Sequence, residues 1–240
     1  APLFLDARFR EQASPEVLER VIRLARKAIA LSGQPDASIW EYRTESRVRT
    51  FSALMCWAAA DRVAQVAARH RPAVAGEFTS AAAQIRSEIL GRATSREHGG
   101  LVADYDGTEV DAALLQAVTL RFFRSGDPAA LATIDAVRRD LEHHGWLKRY
   151  RSDDGFGPPK VAFTLCTFWL VEALARVGRD EEARTVLSRV RGLQSPLGLF
   201  SEDVEPTTGV MWGNHPQAYS HVGLITAAFA ASPRWSEFGP

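Results

Sequence analysis

Apolar residues recur at helical spacing along most of the chain, and almost nowhere do they alternate as in a half-buried strand. The first such stretch begins at Ser14-Pro15, a capping hydroxyl followed by proline at the first helical position, and ends near Ser32-Gly33. Stretches of this kind predict about eight helices and an all-α fold. They span approximately residues 15–32, 51–66, 79–93, 110–123, 127–142, 162–177, 180–190 and 218–230.

The connections between these helices alternate in length. Short links near Ser125-Gly126 and Gly178-Arg179 join antiparallel pairs, whereas the other connections are long. The long loops cover approximately residues 34–50, 97–109, 143–161 and 193–217. Loops above about 12–15 residues in a compact domain are usually functional or disordered. If helix pairs pack side by side in one domain over residues 1–240, these loops emerge on one rim, where we expect a site.

Composition narrows the function classes. Lysine and arginine number 29 and aspartate and glutamate 29, so a polybasic nucleic-acid binder is not expected. The longest apolar runs stay below the roughly 18 residues of a membrane span, and the first residues lack the pattern of a signal peptide. Cys56 and Cys166 have no CxxC partner and are predicted to be buried and reduced. Together these features predict a cytoplasmic protein without membrane or nucleic-acid partners.

Two acidic loops carry the candidate chemistry. PDASIWEYR at 35–43 places Glu41 beside an indole, which can stack on a sugar ring and desolvate a carboxyl. GLFSEDVE at 198–205 offers carboxylates beside apolar residues. One protonated and one ionised carboxylate are what hydrolysis of a glycosidic bond requires, although solvated acidic side chains produce the same pattern. The sequence has no metal-ligand spacing, phosphate loop or dinucleotide motif, so neither a metal nor a cofactor is expected.

Several segments, in order along nearly the whole chain, resemble the C-terminal two-thirds of the catalytic domain of glycoside hydrolase family 15, the glucoamylases, glucodextranases and bacterial trehalases. They are PDASIWEYR at 35–43, FSALMCWAAADR at 51–62, VDAALL at 110–115, YRSDDG at 150–155, VAFTLCTFWLVEAL at 161–174, GRDEEAR at 178–184, GLFSEDVEPTTG at 198–209 and GNHPQAYSHVGLI at 213–225.

The resemblance implies a toroid of six α-helical hairpins, of which this chain contributes about eight of twelve helices. It places Glu41 as general acid and Glu202 as general base of an inverting α-glucosidic hydrolysis, with the carboxyls roughly 6.5–9.5 Å apart. The implied substrate is a glucan, an oligosaccharide or trehalose. The residues expected to bind it are Trp40, Tyr42, Arg43, Trp212, Asn214, His215 and Gln217.

The chain also departs from the family pattern. About four leading helices are absent, so we expect a preceding segment or self-association to close the ring. Ala53 stands where members usually carry lysine, and Lys160-Val161 where an acidic residue and glycine usually stand. Both changes remove or invert charge near the expected rim. They favour the alternative that the chain is a catalytically inactive helical scaffold or a carbohydrate-binding fragment.

Overall fold

The computed structural model describes residues 1–9 and 13–233. Within these residues the chain forms nine α-helices, and two short 3₁₀ turns lie at Ala7–Phe9 and Ala112–Leu114. The helices are α1 (Pro2–Leu5), α2 (Pro15–Leu31), α3 (Thr50–His70), α4 (Pro72–Arg92), α5 (Leu115–Thr119), α6 (Pro128–Leu141), α7 (Thr164–Arg176), α8 (Asp180–Arg191) and α9 (Ala218–Ala231). The prediction of an all-α fold is confirmed.

Helix α2 shows how a cap and an apolar stripe within one segment define a helix. The Ser14 hydroxyl accepts a hydrogen bond from the Val17 N–H at 3.4 Å, and Pro15 occupies the first turn, where it leaves no N–H without a partner. Leu18, Ile22 and Ala25 then recur on one face, and this face is buried. The predicted start and end of this helix are therefore confirmed.

The helix predicted over 110–123 is much shorter than expected. The structure has the 3₁₀ turn followed by α5, which ends before Arg121, a residue with φ of 62°. Residues 110–115 are all buried, so they form a continuous apolar run rather than a one-sided stripe. Such a run fits several buried conformations equally well, and its hydrophobicity alone does not fix a helical period.

Helix α4 begins at Pro72 rather than near Thr79, and α3 continues to His70. The Arg71-Pro72 junction explains both differences. Proline lacks the N–H that continues a helix but suits the first turn of a new one, so α3 ends and α4 begins there. Pro72 is a local start signal that the spacing of apolar residues does not reveal.

Five two-residue strands accompany the helices in the described part of the chain. β1 (Glu142–His143) and β2 (Trp146–Leu147) form a hairpin. β3 (Ala162–Phe163), β4 (Asp203–Val204) and β5 (Met211–Trp212) form an antiparallel sheet in that spatial order. These strands are too short to show alternation in the sequence, and the β3–β4 pairing joins segments about 40 residues apart.

The helices pack in two layers. Helices α3, α5, α7 and α9 contact one another in that order and form an inner row. Helices α2, α4, α6 and α8 pack against this row from the outside. The inner helix α7 buries most of its circumference, including the fully buried Phe168 and Leu174. This arrangement is an incomplete α/α toroid, as predicted.

Apolar side chains remain exposed at one end of the inner row. Tyr219, Val222, Ile225 and Phe229 follow one another at helical spacing on α9, and Phe229 is 81% exposed. A helix face of this kind normally packs against a neighbour.

Both cysteines are free thiols. Cys166 is buried, as predicted, whereas Cys56 is only half-buried because its side of α3 is partly open. No helix in residues 1–9 and 13–233 has the length and apolar character needed to span a bilayer.

Gly100 allows a loop to approach helix α6 closely. A Cβ atom at this position would lie 2.5 Å from the Thr133 backbone nitrogen and 2.7 Å from the Ala132 carbonyl carbon. Since backbone cannot move aside as a side chain can, we expect Gly100→Ala to lower the free energy of unfolding by about 1–3 kcal/mol. Urea unfolding measures this change.

The matched control is Gly76→Ala, at an exposed position on α4 where a Cβ atom meets nothing within 4 Å. This change is expected to stabilise the helix by about 0.5–1 kcal/mol. Equal urea midpoints for the Gly100 variant and the parent would show that the loop does not lie against α6.

Candidate active site

Glu41 lies exposed at the tip of a tight turn in the loop between α2 and α3, here called the Glu41 loop (residues 34–49). The Glu41 N–H donates to the Ser38 carbonyl oxygen at 3.2 Å, and the Tyr42 N–H donates to the Ala37 carbonyl at 2.8 Å. Ser38 and Glu41 have φ of 61° and 56°. These left-handed conformations are uncommon for residues other than glycine and mark a turn that its surroundings hold in place.

Trp40 anchors this turn in an aromatic cluster. Its ring contacts Tyr150 and Phe163 edge-on, with centroids 5.8 and 6.4 Å away, and Trp169 at 6.1 Å. Its indole N–H donates to Oδ2 of Asp111 at 2.9 Å. The backbone immediately before Glu41 is therefore tied to the inner row of helices.

Asp111 is a buried carboxyl, only 2% exposed. Burial raises its pKa to about 7, because the low-dielectric interior disfavours the charged form. The Trp40 hydrogen bond acts in the opposite direction, and the negative charge of Asp104 raises the pKa further. Oδ1 has no hydrogen-bond partner among the described residues.

A second buried group holds the other side of the turn. The Arg49 guanidinium lies 4.3 Å from the centre of the Tyr42 ring, donates to the Glu45 carbonyl at 2.9 Å and pairs with Asp104 at 2.8 Å. Tyr42 is 9% exposed, and burial raises the pKa of its hydroxyl well above the usual range. A charged cleft of about 590 Å³ opens beside Tyr42, Arg47 and Asp104.

Glu202 is half-buried and lies just before β4, in the Glu202 segment (residues 200–217). Its Oε2 accepts hydrogen bonds from the Asn214 backbone N–H at 3.1 Å and from the Asn214 Nδ2 at 2.7 Å. Its backbone is held by Asn214 and by the Thr164 N–H, which donates to the Glu202 carbonyl at 3.0 Å. Asn214 thus orients the carboxylate through Oε2, and Asn214 and Thr164 hold the backbone that carries it.

Gly213 makes this approach possible. It has φ of 75°, and a Cβ atom there would lie 3.0 Å from both Cβ and Oε2 of Glu202. Any larger residue would push the Glu202 carboxylate away from Asn214.

The Glu41 loop and the Glu202 segment meet at the start of α7. Trp40 packs against Phe163, and Phe163 pairs with Asp203 in the β3–β4 register. The Arg149 guanidinium lies 5.6 Å from the centre of the Phe163 ring. Burial raises the pKa of Asp203 to about 6, Arg149 lowers it, and the Glu202 charge raises it. Phe163 thus contacts the residue before Glu41 and pairs with the residue after Glu202, so the two segments converge on one aromatic cluster.

The other predicted substrate-binding residues differ in their surroundings. The Arg43 guanidinium lies 4.5 Å from the centre of the Phe156 ring. Trp212 is 57% exposed and pairs with Asp203 in the sheet, and His215 is also exposed. Gln217 caps α9, since its side chain accepts from the Tyr219 N–H. Asn214 contacts Glu202 directly, whereas Arg43 and Gln217 have structural partners of their own.

Ala53 and Lys160, the two departures from the family pattern, differ in their exposure to solvent. Ala53 is 2% exposed inside the core on α3, so the expected loss of charge at the rim does not apply there. Lys160 is exposed just before β3 and is consistent with a charge change at the surface.

Sequence reasoning missed Asp111, Arg49, Asp104, Arg149 and Gly213. Asp111 belongs to the VDAALL segment, and a single carboxylate before a continuous apolar run was a signal of a buried acid. The pairs Arg49–Asp104, Arg149–Phe163 and Gly213–Glu202 each span more residues than one helical turn, so periodicity does not mark the other four residues. Within the described residues, no group of three or more His, Cys, Asp or Glu side chains could hold a metal ion.

Comparison with known proteins identifies the family of the chain. The family model "Glycosyl hydrolases family 15" matches residues 11–229. A trehalase of Mycolicibacterium smegmatis is 37% identical over 230 residues, covering 94% of this chain and 34% of that protein. A trehalase of Mycobacterium tuberculosis is 36% identical over 228 residues, covering 93% and 33%. The chain thus spans about a third of the length of these curated relatives.

Solved structures share the fold. A bacterial glucoamylase complexed with acarbose superposes with a TM-score of 0.74 at 18% identity, covering 96% of this chain and 39% of that one. A glycosidase variant in complex with glucose has a TM-score of 0.73 at 22% identity, covering 85% and 57%. With a family match over nearly all of its length and a helical fold of the same architecture, the chain belongs to glycosyl hydrolase family 15.

Proposed function

We propose that the protein containing this chain hydrolyses α-glucosidic bonds with inversion, with Glu41 as general acid and Glu202 as general base. The observation that carries this proposal is the convergence of the Glu41 loop and the Glu202 segment on Phe163 at the start of α7, within a family 15 fold. Inversion requires two carboxyls on opposite faces of the sugar ring.

Glu41 protonates the glycosidic oxygen in this mechanism. Glu41 is exposed, so its carboxyl is accessible to a substrate. The hydrogen bond from Trp40 to Asp111 limits the movement of the turn that carries Glu41. General acid catalysis depends on such placement, because the proton must be delivered within hydrogen-bond distance of the leaving oxygen.

Glu202 deprotonates a water that attacks the anomeric carbon from the other face. Both N–H groups of Asn214 donate to Oε2, so Oε1 is the oxygen available to accept the proton from water. Asn214 therefore acts on the base rather than on the sugar in this proposal.

Sugar binding involves the face of the aromatic cluster and nearby polar groups. Buried polar atoms of Arg149, Thr164 and Asp203 lack hydrogen-bond partners among the described residues. Trp40 and the exposed Trp212 add flat apolar surfaces, which suit the faces of pyranose rings. The sugar contacts expected of Tyr42, Arg43, His215 and Gln217 stay predictions.

Trehalose is the first substrate to test, since the curated relatives named above are trehalases. Maltooligosaccharides are the second, since a structural neighbour is a glucoamylase. The experiment measures glucose release from both substrates by the protein as its gene encodes it. Proton NMR of the first turnovers then identifies the anomer released from the cleaved bond.

We expect glucose release. From maltooligosaccharides, inversion frees glucose first as the β-anomer. From trehalose, inversion frees one β- and one α-glucose per bond cleaved, because the departing glucose keeps its α configuration. Early release of the α-anomer alone from either substrate would contradict inversion. An absence of release from every α-glucoside would overturn the enzymatic proposal and favour the inactive scaffold or carbohydrate-binding fragment.

The cytoplasmic location and the completion of the ring by a preceding segment or a second copy stay predictions. The intact mass and the solution mass of the native protein test how the ring is completed.

A further inference from the structure

The turn that carries Glu41 adopts a conformation that its own residues do not favour. Ser38 and Glu41 both lie in the left-handed region, and only two backbone hydrogen bonds close the turn internally. Such a conformation persists only where contacts from outside determine it. The source of those contacts therefore decides where the Glu41 carboxyl points.

Trp40 provides the contact nearest to Glu41. It lies between the two left-handed residues and immediately precedes Glu41, so its placement sets the direction of the following backbone. Three aromatic rings restrict the indole from the sides, but ring contacts of this type permit sliding and tilting. The hydrogen bond from Nε1 to Asp111 is directional and fixes the ring at one point.

Asp111 is itself rigidly placed. It directly precedes the 3₁₀ turn Ala112–Leu114, whose three residues are fully buried in the inner row. The Ala112 N–H donates to the Arg149 carbonyl oxygen at 2.8 Å. Asp111 thus connects an exposed loop to a part of the core that cannot shift without disturbing α5 and α7.

We propose that Asp111 is a positioning residue for the general acid: its Oδ2 holds the Trp40 indole, and Trp40 holds Glu41 against the leaving oxygen. The inference rests on the proposed function, because it concerns the delivery of the proton by Glu41. Asp111 acts through Trp40 and contacts neither the sugar nor the water. A protonated and an ionised carboxyl both offer Trp40 an acceptor oxygen.

Two substrates with the same glucosyl group distinguish this role from a general loss of structure. Release of a sugar from trehalose or maltose requires a proton from the acid, whereas release of fluoride from α-glucosyl fluoride requires little assistance. We expect Asp111→Leu, which is close in size but offers no acceptor, to lower kcat for the glucoside about 10- to 100-fold. Its kcat for α-glucosyl fluoride should change less than about threefold.

Asp111→Asn keeps an acceptor oxygen for Trp40 and should retain most of the glucoside activity. Trp40→Phe removes the donor while keeping a ring, so it should lower kcat for the glucoside more than kcat for the fluoride even if the leucine variant fails to fold. Any loss of stacking on the shared glucosyl group acts on both substrates alike and leaves the ratio of the two kcat values unchanged. Asp106→Asn changes an exposed carboxylate of the same segment and controls for the loss of a negative charge.

Equal losses on glucoside and fluoride in both Asp111→Leu and Trp40→Phe would overturn the inference, as would glucoside activity at the parent level. Glu41→Gln separates this failure from failure of the proposed function. If Glu41→Gln shows the selective loss and the Asp111 and Trp40 variants do not, only the positioning role falls. If Glu41→Gln lowers kcat for the glucoside and for the fluoride equally, Glu41 is not the general acid, and the proposed function fails before the positioning role is tested.

Discussion

Replacing Glu202 or Glu41 by glutamine is expected to lower kcat for glucoside hydrolysis by about 10²- to 10⁴-fold, the usual contribution of a general acid or base. Glutamine has nearly the same shape but neither donates the proton nor accepts it. The two variants differ in their behaviour towards α-glucosyl fluoride. Glu41→Gln should retain activity on the fluoride, because that leaving group needs no proton, whereas Glu202→Gln should lose both activities.

Each loop provides a control for this prediction. Glu45→Gln changes an exposed carboxylate of the Glu41 loop that pairs with Arg47 at the surface. Glu205→Gln changes a carboxylate three residues after Glu202 that accepts from the Thr207 and Thr208 N–H groups. Both controls should keep kcat within about threefold of the parent. A parental kcat for Glu202→Gln would show that Glu202 is not the general base.

The free energy of unfolding is expected to fall as pH rises from about 4 to about 7, through Asp111. The folded chain holds this proton up to a pKa of about 7, whereas the unfolded chain loses it near the ordinary value of 3.8. Between these values the folded state binds more protons than the unfolded state, so raising the pH favours unfolding. The full effect is on the order of 4 kcal/mol.

Urea unfolding of the parent and of Asp111→Asn across pH 4 to 8 isolates this contribution. Any constant cost of the asparagine cancels when the pH dependences are compared, and all other carboxyls are common to both proteins. The free energy of unfolding of Asp111→Asn minus that of the parent should increase as pH rises. Parallel pH dependences would show that the carboxyl is not buried as described.

Many of the helices could be predicted because their signals are local. The Ser14-Pro15 cap and the buried stripe of α2 lie within one segment, and Asp127 likewise accepts from the Ala129 N–H at the start of α6. The prediction of a helix over 110–123 is wrong because a continuous apolar run has no helical period. Helix α4 begins at Pro72, seven residues before the predicted start near Thr79, because proline suits the first turn of a helix and apolar spacing does not mark it.

The candidate carboxylates were also visible in the sequence, since Glu41 and Glu202 lie in segments that resemble a family. Their supporting residues were not. Asp111 is 71 residues from Trp40, and Glu202 is 12 residues from Asn214, across a strand pair that has no alternation to reveal it. When the partner of a polar residue is distant along the chain, the sequence does not distinguish a buried, hydrogen-bonded residue from a solvated one.

The sequence by itself determined the helical class and most helix boundaries and indicated the two candidate glutamates, because capping, periodicity and motif spacing act over a few residues. Only the tertiary structure decided which side chains hold those glutamates, which carboxyls are buried and where a glycine is needed. These properties depend on contacts between distant segments, and burial and partner choice exist only after the inner row of helices has assembled.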